Sequence, residues 1–356
     1  MDKTLTIVCG PLVSGGAERV ISILLNPFVE EYKTVNLIKW NQGKDFYEIN
    51  PKVNVIDFTS YSKSNNIFKK IFKFPSLIKS LHTDIIISFL TPYSLLVLIS
   101  IIFTKYKIIV AERLDPRLLP GGDIMRTIRN ILFRRANGIL CQTNFIKELY
   151  PRYLRKKIKV IYNPIILSKE LIGSALNVNK ENKIVAIGRL HPQKNYNLLI
   201  EGFSLFNKIN PNYKVEIYGD GVLKDKIQNQ IDSKNLHNKI IIKKPTKNVH
   251  SEILDAKLFL MTSDYEGMSN ALIEAMCLGL PVVSTKVSGA TDLIKNKKNG
   301  ILIDSNPNDL YEAMKYIITN ETVQTEFGKE GAKLYHQLEV KKISKEWIDY
   351  INSFIS

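Results

Sequence analysis

Two glutamates eight positions apart, Glu266 and Glu274, are the residues of this chain best suited by type and spacing to do chemistry. A pair of carboxylates hydrolyses a glycosidic bond only when the two groups lie about 5 to 9.5 Å apart. Eight residues of helix span about 12 Å, so the spacing argues against a hydrolase. Carboxylates also accept hydrogen bonds from sugar hydroxyls. We therefore expect Glu274 to bind a ribose and Glu266 a hydroxyl beyond a diphosphate, although two solvated surface acids would show the same spacing.

The segment 256–284 around these glutamates predicts a strand, a turn, a helix and a second strand in that order. Gly267 frees the backbone in the turn, and Ser269 or Asn270 can cap a helix over residues 271–278. The first amides of such a helix carry partial positive charge and suit a phosphate. A phosphate bound between two hydroxyl-binding glutamates implies a nucleotide sugar as the ligand.

Two basic residues earlier in the chain are suited to hold a diphosphate. Arg189 follows an apolar run at the carboxyl end of a predicted strand, where open α/β sheets bind ligands, and Lys194 follows closely. The arginine fork can hold two phosphate oxygens, and the lysine adds a point charge. A single arginine or lysine after a strand is usually a solvated loop residue. Here both occur together with the turn Gly219-Asp220-Gly221 after another predicted strand, and this combination favours a binding role. Near the amino terminus, Gly15 and Gly16 can also bring backbone amides close to an anion, although such a pair is usually only a turn.

These motifs resemble those of the retaining glycosyltransferases of family four. Glu266-x7-Glu274 followed by Ala-x3-Gly-x-Pro-Val is similar to the donor-site signature of that family, and Gly188-Arg189-Leu190 with Lys194-Asn195 is similar to its diphosphate-binding element. The Gly219–Gly221 turn resembles the family's Gly-x-Gly turn, and Gly15–Arg19 resembles its first glycine loop. The resemblance extends over essentially the whole chain. It implies the GT-B architecture, an α/β fold of two facing Rossmann-like domains with parallel sheets and a C-terminal helix that crosses back to the first domain.

Two more segments, Ser88–Leu90 and Ala111–Pro116, resemble a subgroup that adds sugars to lipid-linked oligosaccharides for bacterial capsule, O-antigen or protein glycosylation. The resemblance implies a retaining hexosyl- or N-acetylhexosaminyl-transferase. Its donor would be a nucleotide diphosphate sugar, expected to be a UDP-sugar, and its acceptor a lipid-linked saccharide. A non-catalytic partner protein that binds sugar nucleotides is the alternative, and turnover of the donor would separate the two.

The resemblance also implies roles for single residues. The catalytic set would be Glu266, Arg189 and Lys194. The donor-binding set would be Gly15, Gly16, Gly188, Gly219, Gly221, Gly267, Met268, Ser269, Asn270 and Glu274.

One segment departs from the family pattern. Many members carry a histidine near the reacting centre of the first domain, where this chain has Ala111-Glu112-Arg113, so a histidine role does not transfer. Glu112 and Arg113 are instead candidates for the acceptor side. Arg113 could contact the donor or an acceptor phosphate, and Glu112 could hold an acceptor hydroxyl or simply pair with Arg113.

Length and composition predict about two globular domains, since 356 residues contain 45% hydrophobic and 24% charged residues. Strand-like and helix-like runs alternate throughout, which favours parallel sheets covered by helices. We place an acceptor-side domain at 1–164, a linker at 165–182, a donor-binding domain at 183–339, and the crossing helix at 340–356.

Positive charge is concentrated in the first half of the chain. Residues 1–170 carry 26 lysines and arginines against 13 aspartates and glutamates, a net charge of +13, whereas the remainder carries 24 against 21. The segments 67–74 and 126–135 mix apolar and basic residues, as segments on an anionic bilayer surface do. An ordinary amphipathic helix with a solvated basic face would show the same pattern. The candidate membrane residues are Lys69, Lys70, Lys73, Arg126, Arg129, Arg134 and Arg135.

Several other classes of protein fit the sequence less well. No helix-turn-helix, zinc-finger or RNA-binding signature is legible, so we expect no nucleic-acid partner. Residues 85–103 carry no charge, but Pro92 divides them into a predicted strand and a predicted helix, which argues against a membrane span. Asp264 and Glu266 mimic a metal-binding pair, but enzymes of the resembled family hold the diphosphate with helix amides and basic groups, so the resemblance implies no essential metal and no cofactor. We expect a cytoplasmic protein that associates peripherally with the inner face of the cell membrane.

Overall fold

A computed structural model describes residues 1–13 and 15–355 of the chain. Within these residues the chain forms two compact units. The first comprises Met1–Pro164 together with the chain from Leu338 onward, and the second comprises Ile165–Gln337. Residues 165–182, which the sequence analysis treats as a linker, belong to the second unit.

The strands and helices alternate along the chain. The strands are β1 (Thr4–Cys9), β2 (Thr34–Lys39), β3 (Asn54–Asp57), β4 (Ile85–Phe89), β5 (Lys107–Ala111), β6 (Gly138–Cys141), β7 (Ile158–Val160), β8 (Lys183–Ile187), β9 (Lys214–Tyr218), β10 (Ile240–Lys243), β11 (Leu258–Met261), β12 (Val282–Thr285) and β13 (Ile301–Ile303). The α-helices are α1 (Gly16–Glu31), α2 (Phe58–Ser62), α3 (Ile67–Ser80), α4 (Thr91–Ser100), α5 (Gly122–Phe133), α6 (Asn144–Glu148), α7 (Arg152–Arg155), α8 (Tyr196–Asn207), α9 (Lys224–Ser233), α10 (Val249–Glu252), α11 (Asn270–Leu278), α12 (Ala290–Leu293), α13 (Pro307–Ile318), α14 (Glu321–Ala332), α15 (Tyr335–Leu338) and α16 (Val340–Asn352). Short 3-10 turns lie at Pro116–Leu118, Lys169–Leu171, Ser174–Asn177 and Pro192–Lys194.

The first unit contains a parallel sheet whose described strands run in the order β3-β2-β1-β4-β5-β6-β7. Helices cover both faces, so the central strands are mostly apolar, and every residue of β4 is buried. On one face, Phe74 of α3, Leu98 of α4 and Phe133 of α5 share a buried cluster with Ile86. Successive strand residues point to opposite faces of a sheet, so Phe89 of β4 lies on the face opposite Ile86. Phe89 contacts Trp347 of α16, and this second face is covered by α1 and α16.

The second unit repeats this architecture, with its described strands in the order β10-β9-β8-β11-β12-β13. All of these pairs are parallel, which confirms the prediction of parallel α/β sheets. In such a sheet the strand order reverses at one point, here between β8 and β11, and ligands bind beyond the carboxyl ends of the strands at that point. The loops that follow β8 and β11 carry the basic residues and the acidic motif singled out in the sequence.

The uncharged stretch 85–103 forms the strand β4 and the helix α4, as predicted, with the helix placed at Thr91–Ser100. Among the described residues, no helix is long and apolar enough to span a bilayer.

The C-terminal helix α16 packs on the first unit through a buried tryptophan. The ring of Trp347 stacks on Phe89 with an interplanar angle of 13° and a centroid distance of 5.6 Å, and it meets Phe28 of α1 edge to face at 6.3 Å. Aromatic pairs at these distances contribute beyond the area that they bury. Trp347 therefore attaches the end of the chain to the unit that contains its beginning.

We expect Trp347→Ala to lower the free energy of unfolding of the first unit by about 3–5 kcal/mol, because it removes a large, fully buried side chain and leaves a cavity. Lys341→Ala, at an exposed position of the same helix, is the matched control. Denaturant unfolding followed by circular dichroism measures both variants. Equal stability of the two would contradict the packing role of Trp347.

Candidate functional site

Glu266 lies in the loop after β11, and its carboxylate is held by three donors. Lys194 Nζ lies 2.6 Å from Oε1, Ser263 Oγ donates to the same oxygen at 2.8 Å, and Gln193 Nε2 donates to Oε2 at 3.3 Å. Glu266 is only 8% exposed, and these contacts fix the orientation of its carboxylate. Lys194 comes from the loop after β8. The structure thus brings together two of the three predicted catalytic residues where the strand order reverses.

Further hydrogen bonds join the loops after β8 and β11. Asn195 has a left-handed backbone with φ of 44°, caps α8, and donates from Nδ2 to Asp264 Oδ1 at 2.7 Å. The amide of Asp264 donates to Gln193 O at 2.9 Å, and Thr262 Oγ1 donates to Lys194 O at 3.0 Å. Asp264 is therefore engaged by the neighbouring loop. In residues 1–13 and 15–355, no group of three histidine, cysteine, aspartate or glutamate residues is arranged to hold a metal.

Arg189 and Gly188 follow β8 directly. Arg189 is exposed, at the carboxyl edge of the sheet where the sequence predicts it. A Cβ on Gly188 would lie 2.9 Å from Lys194 Cε, so the glycine leaves room for the lysine that contacts Glu266.

The turn Gly219-Asp220-Gly221 packs backbone to backbone against the loop after β8. The amide of Gly188 donates to Tyr218 O at 3.1 Å, and the amide of Leu190 donates to Asp220 O at 2.9 Å. A Cβ on Gly219 would lie 2.0 Å from Gly188 O, and one on Gly221, where φ is +153°, would lie 2.6 Å from Leu190 O. These glycines are required by the close approach of two protein loops, a use that the sequence analysis did not consider.

The helix α11 begins at Asn270, and Ser269 is its N-cap, with its hydroxyl accepting from the amide of Leu272 at 3.4 Å. The helix ends at Gly279, whose φ of 89° gives it the left-handed conformation usual after a helix. The cap, the helix and the turn before it, with Gly267 and Met268, lie where the sequence predicts them. The predicted role of the first helix amides in binding an anion stays a prediction.

Glu274 lies on α11 and is almost buried, with Oε2 3.1 Å from Nε2 of His250 in α10. Sequence reasoning missed His250, because twenty-four positions separate the two residues and no local spacing marks the contact. Gln193, which lies 73 positions before Glu266, was missed for the same reason, whereas Ser263 lies only three positions before Glu266 and was missed because its residue type does not mark the contact. A polar residue beside a motif residue is the only signal that would have found Gln193 and Ser263.

Gly15 and Gly16 lie at the start of α1, directly after the loop that follows β1. Gly15 is the N-cap residue with an extended backbone, and Gly16 is the first residue of the helix. A Cβ on Gly15 would lie 2.2 Å from Glu18 Oε2, so this glycine leaves space for a carboxylate of the first helical turn.

Glu112, at the carboxyl end of β5, is completely buried, and both of its oxygens accept hydrogen bonds from the protein. Oε2 accepts from Thr91 Oγ1 and, at 3.1 Å, from the hydroxyl of Tyr150. Oε1 accepts from the backbone amides of Arg113 and Leu114 at 3.0 and 3.4 Å. Glu112 therefore joins β5, α4 and the segment after α6, and it contacts the backbone of Arg113.

Arg113 is buried between aromatic rings. Its Cζ lies 5.4 Å from the ring centroid of Phe89 and 5.2 Å from that of Trp347, and its Nη1 donates to Asn163 Oδ1 at 3.0 Å. Nε and Nη2 have no hydrogen-bond partner within the described residues. Burial lowers the pKa of Arg113 to about 10, because removal from water disfavours the charged form.

The structure corrects two of the predicted membrane residues. Lys70 is buried, and its Nζ donates to Trp40 O at 2.6 Å and to Thr59 Oγ1 at 2.8 Å. Arg129 is 2% exposed, and its Nη1 donates to Pro116 O at 2.8 Å. Both lie on the inward faces of their helices, where they donate to backbone carbonyls, so neither belongs to an exposed basic face as predicted.

The other basic candidates lie nearer the surface. Lys73 Nζ donates to Ser62 O at 2.8 Å, and Arg135 Nη2 donates to Thr104 O at 2.6 Å. Lys69 and Arg134 are exposed, and Arg126 is half-buried.

Comparison with known proteins identifies the family. Residues 14–169 match the family described as Glycosyltransferase Family 4, and residues 168–334 match the one described as Glycosyl transferases group 1. The chain belongs to the family 4 glycosyltransferases. This confirms the resemblance stated from the motifs, and the chain is a retaining glycosyltransferase.

Relatives of this glycosyltransferase span its whole length. A Campylobacter jejuni alpha-1,4-N-acetyl-D-galactosaminyltransferase, named for the acceptor GalNAc-alpha-(1->4)-GalNAc-alpha-(1->3)-diNAcBac-PP-undecaprenol, is 27% identical over 98% of each chain. The amylovoran biosynthesis glycosyltransferase AmsD of Erwinia amylovora is 26% identical over 99% of this chain and 100% of its own.

Solved structures share the fold of this glycosyltransferase. The lipopolysaccharide outer core galactosyltransferase WaaB has a TM-score of 0.79 at 20% identity, with 99% of each chain covered. A mutant S. aureus TarM in complex with UDP, fondaparinux and alpha-GlcNAc-glycerol has a TM-score of 0.77 at 17% identity, covering 99% of this chain and 100% of its own. The architecture is GT-B, as predicted.

We expect Gly219→Ala to lower the free energy of unfolding of the second unit by about 1–3 kcal/mol, because its Cβ would overlap Gly188 O and force the two loops apart. Val222→Ala, at an 85% exposed position of the same turn, is the control and should be nearly neutral. Thermal and denaturant melting compare the two. A stable Gly219→Ala variant would show that the loops do not pack as closely as described.

Proposed function

We propose that this glycosyltransferase moves an N-acetylhexosamine or hexose from a UDP-sugar to a lipid-linked saccharide. The observation that carries the proposal is the position of Glu266 and Lys194 beside the start of α11, where the strand order reverses. The name of the Campylobacter jejuni relative supports an undecaprenyl-diphosphate-linked acceptor, and the UDP in the TarM complex supports a uridine donor.

In this proposal the bond between the anomeric carbon and the diphosphate oxygen breaks, a bond to the acceptor oxygen forms on the same face of the sugar, and the proton of the acceptor hydroxyl passes to the departing diphosphate. The departing UDP gains negative charge. Arg189, Lys194 and the amides after Ser269 would stabilise that charge, and such fixed donors often supply the largest part of catalysis. We propose that they make a divalent metal unnecessary.

The two glutamates would hold the donor by its hydroxyls. Glu266, fixed by Lys194, Ser263 and Gln193, would orient the transferred sugar, and Glu274, held by His250, would bind the ribose. The non-catalytic alternative has no comparable support, because a protein that only bound the nucleotide would not need a buried carboxylate fixed beyond the diphosphate.

We also propose that the first unit contacts the membrane that carries the acceptor. The helices α3, α4 and α5 are neighbours on one face of the sheet, and they and the residues just after α4 expose large apolar side chains. Phe103 is 99% exposed and Phe72 is 81% exposed. We call this set the apolar patch: Ile67, Phe68, Phe72, Ile99, Ile102, Phe103, Ile124, Ile128 and Ile131.

The apolar patch is better suited to contact a bilayer surface than to contact a soluble partner, because exposed lysines and arginines accompany it. Lys69 lies on the same helix as Phe72, and Arg134 directly follows α5. Apolar side chains that enter the acyl boundary beside basic residues at the headgroups are typical of peripheral membrane proteins. The protein would then act at the cytoplasmic face of the membrane, in the synthesis of capsule, O-antigen or another glycan.

Turnover of a panel of nucleotide sugars with a polyprenyl-diphosphate-linked saccharide in detergent tests the proposed reaction. We expect product from a UDP-sugar, with full activity in excess chelator. Arg189→Gln and Glu274→Gln should each lower kcat/KM about 10- to 150-fold, because each removes a charge-assisted hydrogen bond of about 1.5–3 kcal/mol. Lys226→Gln, exposed on α9, is the charge-matched control.

Binding of UDP without turnover of any donor would favour the non-catalytic alternative. A strict requirement for a divalent metal would contradict the proposed role of Arg189, Lys194 and the helix amides.

Sedimentation with vesicles tests the membrane contact. Phe72→Ser and Phe103→Ser should each weaken partitioning to anionic vesicles about tenfold or more, because burial of a phenylalanine side chain contributes about 1.5–3 kcal/mol. Ile209→Ser, 66% exposed in the second unit, is the control. Equal partitioning of all three variants would rule out the apolar patch as the contact surface.

A further inference from the structure

A cavity of about 580 Å³ in the first unit is lined by four arginines. Arg117 comes from the 3-10 turn after β5, Arg126 and Arg129 come from α5, and Arg155 comes from α7. A volume of this size suits a small ligand. We call this site the arginine cavity.

Three of the four guanidinium groups have carboxylate partners. Arg117 Nη2 lies 2.6 Å from Asp115 Oδ2, Arg126 pairs with Asp123, and Arg155 pairs with Glu148. The carboxylates of Asp123 and Glu148 are mostly exposed, so those two pairs are weak and leave their guanidinium groups able to bind another anion.

Arg129 differs from the other three. It is buried, and no carboxylate of the described chain lies within ion-pair distance of it. Its Nε and Nη2 share Asn130 Oδ1 at 3.1 and 2.9 Å, and its Cζ lies 4.8 Å from the ring centroid of Tyr150. A buried charge without a counter-ion is costly unless an anion accompanies it. The four arginines and their three carboxylate partners thus leave one positive charge uncompensated, and that charge is the buried guanidinium of Arg129.

The wall of the cavity connects to the acceptor-side candidates. Tyr150 lines the cavity beneath Arg129, and its hydroxyl donates to Glu112 Oε2 at 3.1 Å. On the other side, the helix that supplies Arg126 and Arg129 also exposes three isoleucines of the apolar patch. The helix α5 therefore carries both arginines that can bind a phosphate and an apolar surface that can contact a lipid chain.

We propose that the arginine cavity binds a phosphate or diphosphate group carried by a lipid. Planar guanidinium forks match phosphate oxygens with paired hydrogen bonds, and several forks around one cavity match a diphosphate. The inference rests on the proposed function in one respect, since it identifies the group as the diphosphate of the lipid-linked acceptor. An anionic headgroup of the bilayer has the same chemistry and is the other source.

The test compares Arg117→Gln and Arg126→Gln with Arg152→Gln, an exposed arginine outside the cavity. Three quantities are measured on the full-length protein: binding of inorganic pyrophosphate by calorimetry, the KM for the lipid-linked acceptor in detergent, and sedimentation with phosphatidylglycerol vesicles. Each cavity variant should lose the pyrophosphate-binding component that Arg152→Gln keeps, and its acceptor KM should rise about tenfold with an unchanged donor KM. Arg126→Lys, which keeps the charge and loses the fork, should recover part of the affinity.

The readouts separate the two sources of phosphate. A raised acceptor KM identifies the acceptor diphosphate, and weaker vesicle binding with an unchanged acceptor KM identifies the bilayer headgroup. Loss of pyrophosphate binding with neither lipid readout changed would overturn the proposal, and so would cavity variants that match Arg152→Gln throughout. If the protein transfers no sugar, the pyrophosphate and vesicle measurements still test the cavity independently of the proposed reaction.

Discussion

The contact between Lys194 and Glu266 is the interaction on which the candidate site depends. It joins the loops after β8 and β11, the two adjacent strands between which the strand order reverses. The amide of Asp264 and the hydroxyl of Thr262 bind the backbone of the neighbouring loop, so the pair is held by a network and does not depend on two flexible side chains alone. Glycines at 188 and 219 make the close approach of the loops possible.

Much of the fold and of this site could be predicted because their signals are local. Apolar runs ending in glycine or polar residues predicted a strand before Arg189, a strand before the Gly219–Gly221 turn, and a strand and a helix around Glu266, where the structure has β8, β9, β11 and α11. Side-chain partners from distant segments could not be predicted: His250 reaches Glu274, and Gln193 reaches Glu266, only after the sheet has formed. The sequence indicates where a functional side chain lies, whereas its orientation depends on residues that carry no motif.

Charge was the feature that sequence reasoning judged least well. A basic residue in an amphipathic segment was expected to face outward, but Lys70 and Arg129 satisfy backbone carbonyls inside the first unit, and Arg113 lies between aromatic rings. Long aliphatic stems let such residues cross an apolar layer and place the charge beyond it. A count of lysines and arginines therefore overstates the charge that the first unit presents to a membrane.

The return of the last helix to the first unit has a consequence for biosynthesis. Residues 165–337 form an uninterrupted unit that has all of its strands as soon as they leave the ribosome, whereas the first unit lacks α16 until residues 340–352 have also been made. Domains generally fold as they emerge, with the amino-terminal one first. Here that order is altered, because the surface of α1 and Phe89 that Trp347 covers stays open while the second unit is made. The unit synthesised first is thus the one completed last, and a nascent chain stalled before residue 340 would expose this aromatic surface to chaperones.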